Sequence, residues 1–151
     1  MSNDYVEVFC FTSKDNKNIW AGVGSQTWAV SSSEDNYDMF KSKAQNQMNI
    51  GSFGLFYNVK EKVFTTPFVV KSKAEERVES EIWFDDYLLP FNIVTIGNPK
   101  KNINISQIKN ILNENNINSN WNSIFFIGGK FSFVPSKLPK GVWEDILKLL
   151  M

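Results

Sequence analysis

The chain opens on Tyr5-Val-Glu-Val-Phe-Cys-Phe11, an aromatic and β-branched run with polar flanks, which predicts a buried strand. Residues 12–18 are polar and read as a turn, and residues 19–24, with two glycines, are ambiguous. A short strand is expected over residues 27–30. Residues 31–34 then offer helix caps and an acidic first turn. Tyr37, Phe40 and Ala44 follow at spacings of three and four, the face of a helix that Gly51 ends. Residues 52–59 and 62–71 predict two strands, with Lys60-Glu61 as a tight hairpin between them. Pro67 in the second strand marks a bulge or an edge.

Residues 72–80 are charged and read as a solvated connection. Glu81-Ile-Trp-Phe84 is followed by a loop over residues 85–90 and a strand over residues 91–97, which Asn98-Pro99 stops. Ser106 is the expected N-cap of a helix carrying Ile108, Ile111 and Leu112. The Asn-rich stretch from 113 to 122 is loop, and residues 123–134 predict a second hairpin around Gly128-Gly129-Lys130. Pro139-Lys-Gly opens a last helix with Val142, Ile146, Leu149 and Leu150 on one face. No repeat and no domain boundary interrupts this pattern. The order strand, strand, helix, three strands, helix, hairpin, helix predicts an α+β fold, a mixed and strongly curved sheet or small barrel with helices packed outside. The last helix is still running where the sequence stops, so the chain is also compatible with the front part of a longer protein.

Length sets the expectation of a single domain over residues 1–151. One cysteine forbids an intrachain disulfide, and without histidine there is no ligand set for zinc and no histidine-activated nucleophile. No catalytic or metal-ligating residue is therefore assigned, and no cofactor is expected. Sixteen cationic and sixteen anionic side chains cancel, which argues against a generic polyanion binder without excluding a local basic patch. All the cations but Arg77 are lysines, which disfavours paired-arginine reading of base edges. The start is not a signal peptide and no apolar run approaches a membrane span, so the expected setting is cytoplasmic, with no membrane partner.

Cys10, between Phe9 and Phe11, reads as a buried small hydrophobe. The carboxylate pairs Glu34-Asp35 and Asp85-Asp86 sit where helix starts and loops collect acids in any case. Gly22-Val-Gly24 and Gly128-Gly129-Lys130 lack the spacing of a phosphate-cradling loop. The tryptophans carry more information. Trp28 and Trp83 fall at strand ends beside polar loops, where a pocket mouth forms, and point to an aromatic pocket.

Three segments in order resemble the YTH domain and its prokaryotic relatives, the EVE domains, within the PUA-like superfamily. The first is the opening strand, then Thr12-Ser-Lys-Asp-Asn-Lys-Asn-Ile19, eight further residues and Trp28-Ala-Val-Ser31. The second is the segment from Gly51 to Lys71, with its hydrophobic strand, hairpin and following strand. The third is Ile82-Trp83, a loop, and Pro90-Phe-Asn-Ile-Val-Thr95. Phe126-Ile-Gly-Gly-Lys130 is similar to the late hairpin of the family with its basic residue.

The resemblance implies a PUA-like curved mixed β-barrel of about six strands with helices outside it, and a pocket for one flipped or unpaired methylated base, N6-methyladenine in YTH domains. By matched position, Trp28 and Trp83 would be cage walls, with Leu88 or Leu89 as a third. Asn18 would hydrogen-bond the adenine ring, and Ala29 stands where the family carries a small hydroxyl residue. Ser13 and Lys14 would touch backbone and base edge, and Lys130 stands near a phosphate-binding arginine. The EVE-like form implies a reader of methylated DNA in preference to RNA, similar to the targeting modules of McrB-type restriction systems, with a fused or associated GTPase and nuclease. An N6-methyladenine RNA reader is the alternative within this class. A third reading is an ASCH-type hydrolase of nucleoside derivatives on the same barrel, with Lys14, Thr27 and Asp15 as its candidate residues. A pure protein-interaction module using exposed aromatics is a fourth.

Overall fold

A computed structural model of the protein describes residues 5–31, 37–127 and 131–151. In chain order its elements are β1 (Tyr5–Ser13), α1 (Asn16–Ser25), β2 (Thr27–Ser31), α2 (Tyr37–Gln47), β3 (Phe53–Asn58), β4 (Val63–Val70) and β5 (Val78–Glu79). They continue with β6 (Tyr87–Thr95), β7 (Asn102–Asn104), α3 (Ile105–Glu114), α4 (Trp121–Ile124), β8 (Pro135–Pro139) and α5 (Lys140–Leu150). The strands form one sheet in the order β2-β6-β4-β3-β1-β8, with the short β5 on β6 and β7 on β4. The β1–β3 pair is parallel and its neighbours are antiparallel, so the sheet is mixed. β2 and β8 are the two ends of that order, which makes the sheet open and curved.

Two bulges help bend it. β6 pairs with β2 through Tyr87 to Asn92 and with β4 through Ile93 to Thr95. Opposite Ala29, β6 carries two residues, Leu89 and Pro90, with Leu89 at φ 57°. In the β3–β4 pair Leu55 faces both Thr66 and Pro67, so the expected bulge at Pro67 is present. An extra residue on one strand sharpens local twist and re-aims the side chains beyond it. Gly54 stands beside this second bulge under the Phe68 ring. A Cβ there would lie 2.1 Å from a ring carbon, so a glycine is needed.

β1 and β3 are covered on both faces, which is why their sequences run continuously apolar rather than alternating. Phe9, Phe11 and Phe56 point into one core with Ile19 of α1, Phe40 and Ala44 of α2, Trp28, Phe68 and Phe91. Val8, Cys10, Leu55 and Tyr57 point into the other, against Ile108, Ile111 and Leu112 of α3 and Val142, Trp143, Ile146 and Leu150 of α5. Among the described residues, no helix is long and apolar enough to cross a membrane.

Several expectations need correction. Residues 16–25 are helical, so the expected turn over 12–18 gives way to a helix from Asn16 and the ambiguous 19–24 belong to it: Asp15 caps them by accepting from Asn18 N, and Ile19 and Gly22 bury one face. Tertiary packing overrides the weak propensity of a stretch with two glycines. β6 starts at Tyr87, inside the expected loop. α3 is capped by Asn104, in a reciprocal pair with Gln107, and Ser106 lies within the helix. The described parts of 123–134 contain no strand; the pairing partner of β1 is β8, bounded by prolines at an edge of the sheet. Leu149 lies on the outer side of α5, 45% exposed.

Cys10 is buried, as expected. Burial pushes its thiol up from 9.0 to about 12, opposed by the hydrogen bond from Ser136. The folded state then holds a proton that the unfolded state releases, so stability is fully present below pH 9 and is lost as pH rises toward 12. We expect the urea-unfolding free energy of the wild-type protein to fall between those limits, and the Cys10→Ala protein to show a shallower fall. Equal slopes in the two proteins would remove the thiol as the cause.

Candidate functional site

The parallel pairing of β1 with β3 brings Ser13 beside Asn58, and there the chain leaves the sheet and starts α1. β2 follows α1 after a left-handed Gln26. The crossing of β1, α1 and β2 with the segment before β6 encloses a cavity of about 320 Å³. Phe11 to Lys14 line it from β1 and its exit, Asn18 from α1, and Trp28 to Ser31 from β2. Trp83, Tyr87 and Ser132 complete the lining.

Trp28 is the fixed wall. It is 5% exposed and packs on Phe56 with ring centroids 4.5 Å apart. Gly22 passes directly against its indole: a Cβ at Gly22 would stand 2.7 Å from Trp28 Cε3. Trp83 is half-buried, in a segment without regular structure. Its Nε1 donates to the Asn18 carbonyl at 2.9 Å. The two indoles meet edge to face, centroids 5.4 Å apart and planes at 83°. Tyr87 packs against Trp83 with ring centroids 5.0 Å apart. A base held flat between two rings needs parallel planes about 7 Å apart, two carbon contacts of about 3.5 Å. The two indoles as they stand do not offer such a pair of parallel faces, and Trp83 is the less buried of them.

The polar equipment is sparse. The backbone N–H of Asn18 is taken by Asp15 and its carbonyl by Trp83, while its side-chain amide has no hydrogen-bond partner among the described residues. That leaves one group able to donate and accept together. The Tyr87 phenol is held neutral: burial pushes it up, reinforced by the Asp85 and Asp15 carboxylates. Beside the cavity, the β3–β4 turn lies against the exit of β1, because Val59 N donates to the Ser13 carbonyl. The turn carries Lys60 and Lys62 and the exit of β1 carries Lys14 and Lys17, all exposed and without an ion-pair partner among the described residues.

Six residues expected from the sequence therefore converge here: Ser13, Lys14, Asn18, Trp28, Ala29 and Trp83 all line the cavity. Leu88 and Leu89 do not. Leu89 is buried in the first core and Leu88 packs against it. Besides Phe11, the cavity has a further aromatic in Tyr87, which sequence reading missed because 85–90 looked like loop. Its spacing of four from Trp83 and the Tyr87/Leu89 alternation were the available signal, and the bulge at Leu89-Pro90 obscures it. Lys130 lies outside the described residues. The set Lys14, Thr27 and Asp15 is not assembled in the cavity: Thr27 Oγ1 donates to the Ser25 carbonyl, and Asp15 caps α1.

No protein-family model matches the sequence, and no curated protein matches it. The fold does match solved structures. One is the YTH domain of Zygosaccharomyces rouxii MRB1 in complex with N6-methyladenosine RNA, with a TM-score of 0.61 at 17% identity over 97% of this chain and 87% of that one. The Pho92 YTH domain in complex with m6A superposes at 0.62, with 15% identity over 99% and 87% of the two chains. The Mmi1 YTH domain complex with RNA superposes at 0.60, with 12% identity over 99% and 83%. The chain thus has the fold of YTH domains, an open curved sheet with helices against it.

Proposed function

We propose that this chain is a binding module that reads N6-methyladenine in single-stranded RNA, holding the base in the cavity between Trp28 and Trp83. The observation that carries this reading is one cavity in which two indoles and a phenol meet a single unengaged amide, that of Asn18. At about 320 Å³ it is at the small end of ligand sites, a size suited to one base. Flat aromatic faces stack on any base, and the amide adds adenine-type selectivity by donating and accepting on one edge. N6-methyladenine is neutral, so cation–π attraction plays no part. Burying its methyl contributes about 0.8 kcal/mol.

YTH-domain structures of the same fold hold m6A or RNA, which supports RNA as the polymer and a reader rather than an enzyme. The sequence-based expectations of DNA as the polymer and of a restriction GTPase and nuclease as partners draw no support from these neighbours. DNA therefore enters as an arm of the test. Binding is measured at one fixed salt to four labelled oligonucleotides, N6-methyladenine and adenine each in single-stranded RNA and in duplex DNA. A preference of tenfold or more, by order of magnitude, for methylated RNA is expected; it exceeds what methyl burial alone supplies. The same preference on duplex DNA would move the assignment to a DNA reader. Equal binding with and without the methyl would sink the reading.

Lys14 lines the cavity, and it and the exposed lysines of the β3–β4 turn are expected to supply the sequence-independent part. On single strands each phosphate neutralised contributes about 0.7 to the slope of log affinity against log salt. Lys60→Ala and Lys62→Ala are each expected to lower that slope by about this amount and to weaken methylated and unmethylated strands alike. A salt titration of both proteins checks it, and an unchanged slope would place the backbone elsewhere.

A further inference from the structure

Asn58 ends β3 and is 1% exposed. A buried side-chain amide is tolerated when its ends are hydrogen-bonded, and both ends of this one are. Nδ2 donates to Oδ1 of Asn16 at 2.9 Å, and Oδ1 accepts from Glu61 N at 3.1 Å. Asn16 is the first residue of α1, two before Asn18. The same corner is tied further. Ser13 Oγ donates to the Asp15 carbonyl at 2.8 Å, Asp15 Oδ1 accepts from Asn18 N at 3.2 Å, and the Asn18 carbonyl accepts from Trp83 Nε1 at 2.9 Å. Neither Asn16 nor Asn58 lines the cavity. α1 is a weak helix by composition, so its start depends on tertiary anchors such as this one.

Resting on the reading of the cavity given above, we propose that the Asn16–Asn58 amide pair is a positioning clamp that sets discrimination between the methylated and the unmethylated base. One methyl contributes about fourfold through burial alone. A larger ratio needs a gap that does not relax around the smaller base, that is, a preorganised floor. The clamp supplies the floor by fixing the first turn of α1, and with it the Asn18 amide, relative to β3. Trp83, in an irregular segment, is the wall that moves. The pair also ties the lysine-bearing β3–β4 turn to the base site, since the Asn58 carboxamide oxygen holds Glu61 N.

The test uses the partly exposed member, whose replacement leaves the core intact. Wild type, Asn16→Leu and Asn16→Asp are titrated with methylated and unmethylated single-stranded RNA of one sequence, and their melting temperatures are recorded. Asn16→Leu removes the acceptor. Its methylated-to-unmethylated affinity ratio is expected to collapse to about fourfold or less, with affinity for the unmethylated strand within about twofold of wild type. Asn16→Asp keeps an oxygen for Asn58 Nδ2 and is expected to restore the wild-type ratio. An Asn16→Leu protein that keeps the wild-type ratio overturns the clamp, as does one that loses affinity for both strands equally, the mark of a merely structural role. A wild-type ratio of one overturns the reader assignment itself, and the clamp with it.

Discussion

The Trp83→Ala protein is expected to bind a methylated single-stranded oligonucleotide roughly 5- to 140-fold more weakly than wild type, with its fold retained. Loss of one base–aromatic stack costs about 1–3 kcal/mol, which sets that range. Trp83 is suited to this test because it is half-buried and irregularly placed; it packs against the first core rather than forming part of it. It also bonds the Asn18 carbonyl, edge-on to Trp28. Alanine removes both the stack and the closure. Trp83→Phe separates the two, keeping an aromatic face without the indole N–H. It is expected to bind far better than the alanine variant. Fluorescence anisotropy gives the affinities and far-ultraviolet circular dichroism the fold. Wild-type affinity in a folded Trp83→Ala protein would place the base outside this cavity.

Trp28→Ala is expected to behave differently, losing about 3–5 kcal/mol of folding free energy along with any binding. Trp28 is both a wall of the cavity and part of the first core, packed at a tilt on Phe56 and met closely by Gly22. Removing the indole leaves a void that these neighbours can fill only in part. Against a total of about 5–15 kcal/mol for a typical domain, the loss is large enough to populate the unfolded chain. A loss of binding in this variant therefore does not by itself identify a binding residue. Urea unfolding of wild type and variant measures the difference, and a change below about 1 kcal/mol would mean that Trp28 is less integral to the core than its contacts imply. The two tryptophans, equivalent as motif residues, thus divide into a fixed wall and a movable one.

The neighbours in fold share only 12–17% of their residues with this chain over nearly its whole length. What persists at that distance is the fold, with TM-scores of 0.60–0.62. Aromatic side chains suit such a cavity because their large apolar faces serve as core on one side and as a stacking surface on the other. Trp28 does both.

Much of this was legible in the sequence. The continuous apolar runs of β1 and β3, the three-and-four spacing in α2, α3 and α5, and Pro67 as a bulge all follow from local chemistry. Burial on both faces, one helical face and a missing N–H each leave a mark within a few residues. The tryptophans at strand ends and the order of the segments also singled out Ser13, Lys14, Asn18, Trp28, Ala29 and Trp83 by resemblance. Other features depend on partners distant in sequence. The start of α1 looked like a turn and the rest was ambiguous because its capping by Asp15 is local but its stability comes from burying Ile19 and Gly22 against β2 and the core. Tyr87 looked like loop, and Leu88 and Leu89 like cage walls, because a bulge opposite Ala29 shifts which side chains of β6 face the cavity. β8 carries too little hydrophobic pattern to declare itself and is a strand only because the edge of β1 is there to pair with it. The amide pair of Asn16 and Asn58 spans 42 residues and has no signature in either flank. Sequence alone determined which positions are apolar and where the chain can turn. Tertiary structure decided which face each side chain takes, because register, bulges and buried polar pairs are settled between strands and not along them.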